Sequence, residues 1–146
     1  MTLKNALKKK NVLIGQMKDE IRRLHKYNTV DVVNEKNRPY SPREVWDKIK
    51  TLSDELVELK TKIQVSNTPI LTKIYRMSEL KNMIIHLKEL SCENGKMEDR
   101  YSEKDKFVVS EISVQERDHL VNMYSEEIDQ IQNELDYFNQ STELAA

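Results

Sequence analysis

The chain has 146 residues, of which 34% are charged and 6% aromatic, and it contains two glycines and three prolines. This composition is typical of long helices, and the length is that of one domain. The 24 Lys and Arg side chains nearly cancel the 25 Asp and Glu side chains, so overall charge indicates neither a nucleic-acid partner nor an anionic membrane.

The amino-terminal segment and the cysteine content indicate a cellular compartment. Residues 1–10 contain four lysines and no long apolar run, so they form neither a secretory signal nor a membrane span. The single cysteine, Cys92, cannot form an internal disulfide, which agrees with a reducing environment. We therefore expect a cytoplasmic protein.

The first predicted helix covers residues 2–27 and is followed by a polar, Asn-rich loop that ends at Pro39. One stripe of this helix is apolar except for a lysine, and it consists of Leu3, Leu7, Lys10, Ile14, Met17, Ile21 and Leu24. A cation on an apolar stripe sets register, extends its charge to water, or meets an anion at an interface.

The second predicted helix, residues 42–65, has the clearest start and the clearest apolar stripe in the chain. Ser41 provides a capping hydroxyl, Pro42 occupies the first helical position and Glu44 completes a capping box. The stripe repeats at four-and-three spacing through Val45, Ile49, Leu52, Leu56, Leu59 and Ile63.

Two further helices enclose a segment with a different period. The third covers residues 70–91 and is expected to close at Asn94-Gly95, with Ile70, Ile74, Met77, Ile84 and Leu87 buried. Residues 97–112 contain the run Phe107-Val108-Val109 and predict a short β-hairpin.

The fourth helix, residues 114–138, starts with a second capping box at Ser113 and places Arg117 on its stripe. Its apolar positions follow heptad spacing: Val121, Tyr124, Ile128, Ile131, Leu135 and Phe138. The predicted fold class is therefore all-α: a four-helix, coiled-coil-like bundle within a single domain, residues 1–144, with a short β-hairpin before the last helix. The long, narrow stripes predict a homo-oligomer.

Catalytic and metal-binding patterns are not found in this sequence. The three histidines, His25, His86 and His119, lie on different predicted helices without the repeated Glu-x-x-His order of di-metal bundles. Cys92 has no neighbouring histidine, and the two glycines cannot form a phosphate loop. We expect no enzyme activity, no metal and no cofactor.

Polar and basic residues gather where the helical pattern breaks. Asn67 and Thr68 can cap the third helix, whose free N–H groups favour an anion, and Lys73 and Arg76 follow on its first turns. Arg100 and Tyr101 lie in the predicted hairpin. The simpler interpretation is capping and surface charge. The functional hypothesis is an anion site in which Arg100 and Arg76 supply charge, Asn67 and Thr68 polar contacts, and Tyr101 a stacking ring.

The hairpin and the last residues also carry a family resemblance. The segments 99–102 (DRYS), 107–110 (FVVS) and 139–144 (NQSTEL) resemble those of small helical proteins from bacteria and mobile elements, some of them named septicolysins. Segments 63–67 and 76–81 are similar to two others of that family, whereas Ser141 stands where the family has Thr.

The septicolysin name implies a pore-forming or lytic role, whereas similar members that look like cargo of phages and mobile elements imply, by analogy, a small oligomer that acts by binding. We expect a non-enzymatic oligomer that captures a small anionic, nucleotide-type ligand at subunit interfaces, as a sponge that sequesters a host defence signal. The alternatives are a helical protein–protein adaptor or scaffold and, less favoured, a membrane-active lysin, since no long uncharged helix is present. The expected partners are other copies of the chain and the ligand, without nucleic acid or membrane.

Overall fold

A computed structural model describes residues 1–98 and 104–146 of the chain. In these residues the α-helices are α1 (Leu3–Tyr27), α2 (Pro42–Ser66), α3 (Leu71–Glu89) and α4 (Val114–Ser141). A two-stranded antiparallel hairpin, β1 (Gly95–Met97) and β2 (Lys106–Val108), precedes the last helix. The predicted all-α class with a short hairpin before the last helix is confirmed. The connection between α1 and α2 includes a short 3₁₀ helix, Val32–Asn37.

The chain divides into two compact units. The first unit comprises Met1–Pro69 together with Phe138–Ala146, and the second unit comprises Ile70–Tyr137. That residues 1–144 form a single domain stays a prediction.

The first unit is built on an antiparallel pair of helices, α1 and α2. Ion pairs join Lys9 to Glu55 at 2.8 Å and Lys48 to Glu20 at 3.0 Å, which fixes the opposite directions of the helices. Their facing residues form a continuous apolar core: Leu3, Ala6, Leu13, Leu52, Leu56, Leu59 and Ile63. All six predicted stripe residues of α2 are buried, so that prediction is confirmed.

On α1 the buried stripe is displaced from the predicted one. Ala6 and Glu20 are buried, whereas Ile21 is exposed, so its predicted burial is wrong. Leu7, Ile14 and Met17 are partly buried against the core. Ala6 has almost no side chain, and a small residue at the contact allows two helices to approach closely. The buried face of α1 includes Ala6, and the larger Leu7 lies beside that face and is partly buried.

The last residues of the chain complete the first unit. The N–H of Leu3 donates to the carbonyl of Thr142 at 2.8 Å, and the N–H of Leu144 donates to the carbonyl of Met1 at 2.9 Å. The N–H of Ala145 donates to the Ser66 hydroxyl at 2.8 Å. The first bond satisfies an N–H at the start of α1 that has no partner within the helix, and together the three bonds attach the last residues to the start of α1 and to the end of α2.

The second unit pairs α3 with the part of α4 that belongs to it. Ion pairs join Lys73 to Glu134 and Arg76 to Glu127, so the two helices run antiparallel. Among the described residues of this unit, those that are buried are Ile70, Leu80, Cys92, Ile131 and Leu135. The predicted α4 stripe is confirmed at its two buried positions, and its remaining members are partly buried.

The segment between α3 and β2 differs from the prediction. α3 ends at Glu89, so the expected closure at Asn94-Gly95 is wrong. Gly95 instead opens β1 with φ 112°, a left-handed conformation that favours glycine. The Asn94 side chain accepts the Ser110 N–H at 2.8 Å and donates to the Ser110 hydroxyl at 3.0 Å. Asn94 thus joins the two sides of the hairpin at its base.

Candidate ligand-binding site

Asn67 and Thr68 lie at the junction that follows α2. Asn67 ends the helix, and its backbone N–H donates to the carbonyl of Ile63 at 3.0 Å. Thr68 begins a 3₁₀ turn, Thr68–Ile70, which makes Ile70 the residue before α3. Ile70 provides no side-chain cap, so the predicted capping of α3 by Asn67 or Thr68 is wrong. Thr68 is exposed and Asn67 half-buried.

Arg76 is engaged within the second unit. Its Nε and Nη2 atoms donate to the two carboxylate oxygens of Glu127 at 3.1 and 3.2 Å. These hydrogen bonds, and then the charge of Glu127, raise the pKa of the Arg76 guanidinium above its ordinary value. Lys73 is likewise paired, with Glu134. An anion would have to displace carboxylates to reach either cation.

The five predicted ligand residues belong to different units or lie outside the described part of the chain. Asn67 and Thr68 belong to the first unit and Arg76 to the second. Arg100 and Tyr101 lie outside the described residues. A site composed of these five residues stays a prediction.

A cleft of about 940 Å³ opens at the loop end of the α1–α2 pair, and we call it the loop-end cleft. Because the two helices are antiparallel, the end of α1 and the start of α2 meet there. The side chains of its wall include His25, Asn28, Arg38, Arg43, Trp46 and Lys50.

Hydrogen bonds and ring contacts fix the loop beside this cleft. The Arg38 guanidinium donates from Nε to the carbonyl of Tyr27 at 2.9 Å and from Nη2 to the carbonyl of Asn28 at 3.0 Å. These carbonyls lie at the end of α1, where a helix lacks internal donors and a cation is favoured. The rings of Tyr27 and Tyr40 are 5.5 Å apart, and the Arg23 guanidinium lies 4.8 Å from the centre of the Tyr40 ring.

Two side chains of the cleft are available for a ligand. Trp46 is 50% exposed, which is unusual for the largest apolar side chain. Arg43 is exposed and has no hydrogen-bond or ion-pair partner among the described residues. Lys50 is less available, because its ammonium lies 3.2 Å from the Asp47 carboxylate. Arg43 also lies in the first turn of α2, where the helix dipole favours an anion.

A buried carboxylate lies near this end of the helix pair. Glu20 is 4% exposed, and its Oε1 atom is 2.7 Å from Nη1 of Arg23 and 3.0 Å from Nζ of Lys48. Arg23 comes from the same helix and Lys48 from α2. Glu20 therefore connects the two helices and holds the arginine that contacts Tyr40.

No protein-family model, curated protein or solved structure matches this chain. The resemblance to the septicolysin-named family stays a prediction. In the described ranges, no helix combines the length and the apolar composition that a bilayer span requires.

The loop-end cleft is not among the predictions from the sequence, although the sequence carries one signal of it. Trp46 is the only tryptophan of the chain, and it lies off the apolar stripe of α2. Arg43 precedes it by three residues and Lys50 follows it by four, so the three side chains share one face of the helix. An exposed aromatic ring between two cations on one helical face is a ligand-binding pattern that can be found without a structure.

Proposed function

We propose that the protein is a non-catalytic binding protein that captures a small anionic ligand with a flat ring, of the nucleotide type, in the loop-end cleft. The observation that supports this proposal is the exposed guanidinium of Arg43, which has no partner among the described residues, beside the half-exposed ring of Trp46. The proposed site differs from the one predicted around Arg76, because the Arg76 guanidinium is occupied by Glu127.

Size and chemistry both support a ligand of this class. A volume of about 940 Å³ lies within the usual range for small-molecule clefts, roughly 300–1,000 Å³. A flat ring can stack on Trp46, and a phosphate can bind the guanidinium and the backbone N–H of Arg43, since Pro42 has no N–H and the Glu44 N–H donates to the Ser41 hydroxyl. Arg38 keeps the cleft preformed, because its side chain holds the loop against the end of α1. Binding then requires little ordering of the protein.

Trp46 provides its own assay. Trp46 is the single tryptophan, so all tryptophan fluorescence of the protein comes from the proposed site. A ring stacked on Trp46 is expected to quench this emission. We would titrate the protein with AMP, with adenosine and with inorganic phosphate. AMP should quench the Trp46 emission saturably. Adenosine, which lacks the anion, and phosphate, which lacks the ring, should not reproduce this effect. AMP recovered afterwards should be chemically unchanged by mass spectrometry.

Substitution of the unpaired arginine tests the assignment. Arg43→Gln removes the cation from the first turn of α2 and should weaken AMP binding about tenfold or more, which corresponds to about 1.4 kcal/mol. Arg22→Gln is the matched control, because Arg22 is an exposed arginine of α1, paired with Asp19, that does not line the cleft. Equal AMP affinity in the two variants, or no quenching by AMP in the unsubstituted protein, would contradict the proposal.

A further inference from the structure

The β-hairpin of the second unit has an open edge that carries exposed apolar side chains. In the described residues β1 is the only neighbour of β2. Phe107 is 78% exposed and Val109, just after β2, is 90% exposed. A two-stranded ribbon is marginally stable in water, and an open apolar edge readily pairs with another strand.

The direction of the backbone groups shows which residues can pair at this edge. The Ser110 N–H points towards β1, since it donates to Asn94 at the base of that strand. Successive residues of a strand direct their N–H and C=O groups to opposite sides. By this alternation Val108 directs its N–H and C=O groups towards β1, and Phe107 and Val109 direct theirs to the open edge.

We propose that two copies of the chain pair through β2 in antiparallel register, with Val108 of one copy opposite Val108 of the other. In this register Phe107 of each copy lies opposite Val109 of the second copy. Both pairs exchange two N–H···O=C bonds, so four backbone bonds join the copies. The result is a four-stranded sheet with β1 at each outer edge.

The second copy fits this edge because the segment is complementary to itself. Phe107 and Val109 are two residues apart, so their side chains lie on the same face of the strand. The two-fold arrangement keeps all four exposed side chains on one face, and each aromatic ring then lies beside a β-branched residue, a favourable cross-strand pair. The carboxylate of Asp105 lies near the end of the paired segment, and the Lys96 ammonium is 2.8 Å from it. This ion pair reduces the negative charge at that end of the pairing.

The assembly state gives the first test. Sedimentation velocity of the full chain should show a dimer with twice the 17.3 kDa mass of one chain. Phe107→Lys and Val109→Lys should each weaken dimerisation at least tenfold, because a charge replaces an apolar contact. Val57→Lys is the control: Val57 is an exposed valine of α2, and its substitution should leave the dimer intact.

Disulfide trapping tests the register itself. A mixture of Phe107→Cys and Val109→Cys chains should form a mixed disulfide, because a hydrogen-bonded antiparallel pair separates Cα atoms by about 5.5 Å, within disulfide range. Each variant alone should cross-link far less. The natural Cys92 is buried and is present in both variants. Disulfide formation in each variant alone therefore gives the background level.

Three results would overturn the pairing. One is a protein that sediments as a monomer at every concentration at which it stays in solution. Another is a dimer that keeps its affinity in both lysine variants. The third is a mixture that forms no more disulfide than either cysteine variant alone. Circular dichroism of the lysine variants establishes that the helices remain folded.

Discussion

We expect a non-additive loss of folding stability when the two cationic partners of Glu20 are removed. The carboxylate is 4% exposed, whereas the side chains of Arg23 and Lys48 are 41% and 61% exposed. Either cation alone still compensates the buried charge. Removal of both leaves a carboxylate with no cation in a site that excludes water, which is the costly state.

The magnitudes follow from this asymmetry. Arg23→Met or Lys48→Met removes one charge-assisted bond at a partly exposed position, so each should lower the free energy of unfolding by about 1 kcal/mol. The double variant should lower it by about 3–5 kcal/mol, the usual cost of an uncompensated buried charge. The excess over the sum of the single effects is then about 1–3 kcal/mol. Addition of Glu20→Met to the double variant should restore most of the lost stability, because an apolar side chain of similar length fits between the two helices.

Urea denaturation followed by Trp46 fluorescence measures these effects, because Trp46 lies on α2 in the same unit. Thermal melts should agree, at about 2–4 °C for each kcal/mol. The contact of Arg23 with the Tyr40 ring is lost in both the single and the double variant, so it cancels in the comparison. A loss of stability in the double variant equal to the sum of the two single losses within about 0.5 kcal/mol would refute this role of Glu20, as would a Glu20→Met substitution that fails to restore stability.

Two further substitutions test the ends of the first unit and the core of the second. Ser66→Ala removes the acceptor of the Ala145 N–H and should cost about 1–2 kcal/mol and accelerate hydrogen exchange at that amide, whereas Thr61→Ala, at an exposed position of the same helix, should leave that amide protected. Leu80→Ala should cost about 2–5 kcal/mol in chemical denaturation because Leu80 is fully buried, and Ile85→Ala, at an exposed position of α3, should cost much less. Equal effects within either pair would show that the burial or bonding described here does not determine stability.

The helices could be predicted from the sequence wherever one apolar stripe was unambiguous. On α2 every stripe residue is a large aliphatic side chain at regular spacing, and all of them are buried. On α1 two neighbouring stripes compete, and hydrophobicity alone selects Leu7 over Ala6. In the structure the stripe through Ala6 is the buried one, and which stripe is buried depends on the partner helix.

The other features that the sequence does not predict depend on contacts between residues distant in the sequence. Burial of Glu20 requires Lys48 on the other helix, and no local pattern shows that pair. Arg76 looked available for a ligand because its partner, Glu127, lies 51 residues away. The loop-end cleft exists only because the end of α1 meets the start of α2. Pairings between helices therefore decided which cations are free, whereas local spacing decided where the helices are.

The two-part composition of the first unit has a consequence for the order of folding during synthesis. Its core needs Leu144 and Phe138, which the ribosome adds long after Pro69. The second unit is one continuous segment, so all of its residues have left the ribosome once Tyr137 has emerged from it. We therefore expect a nascent chain to form the α1–α2 pair early, to complete the second unit next, and to close the first unit last, when Thr142 reaches Leu3.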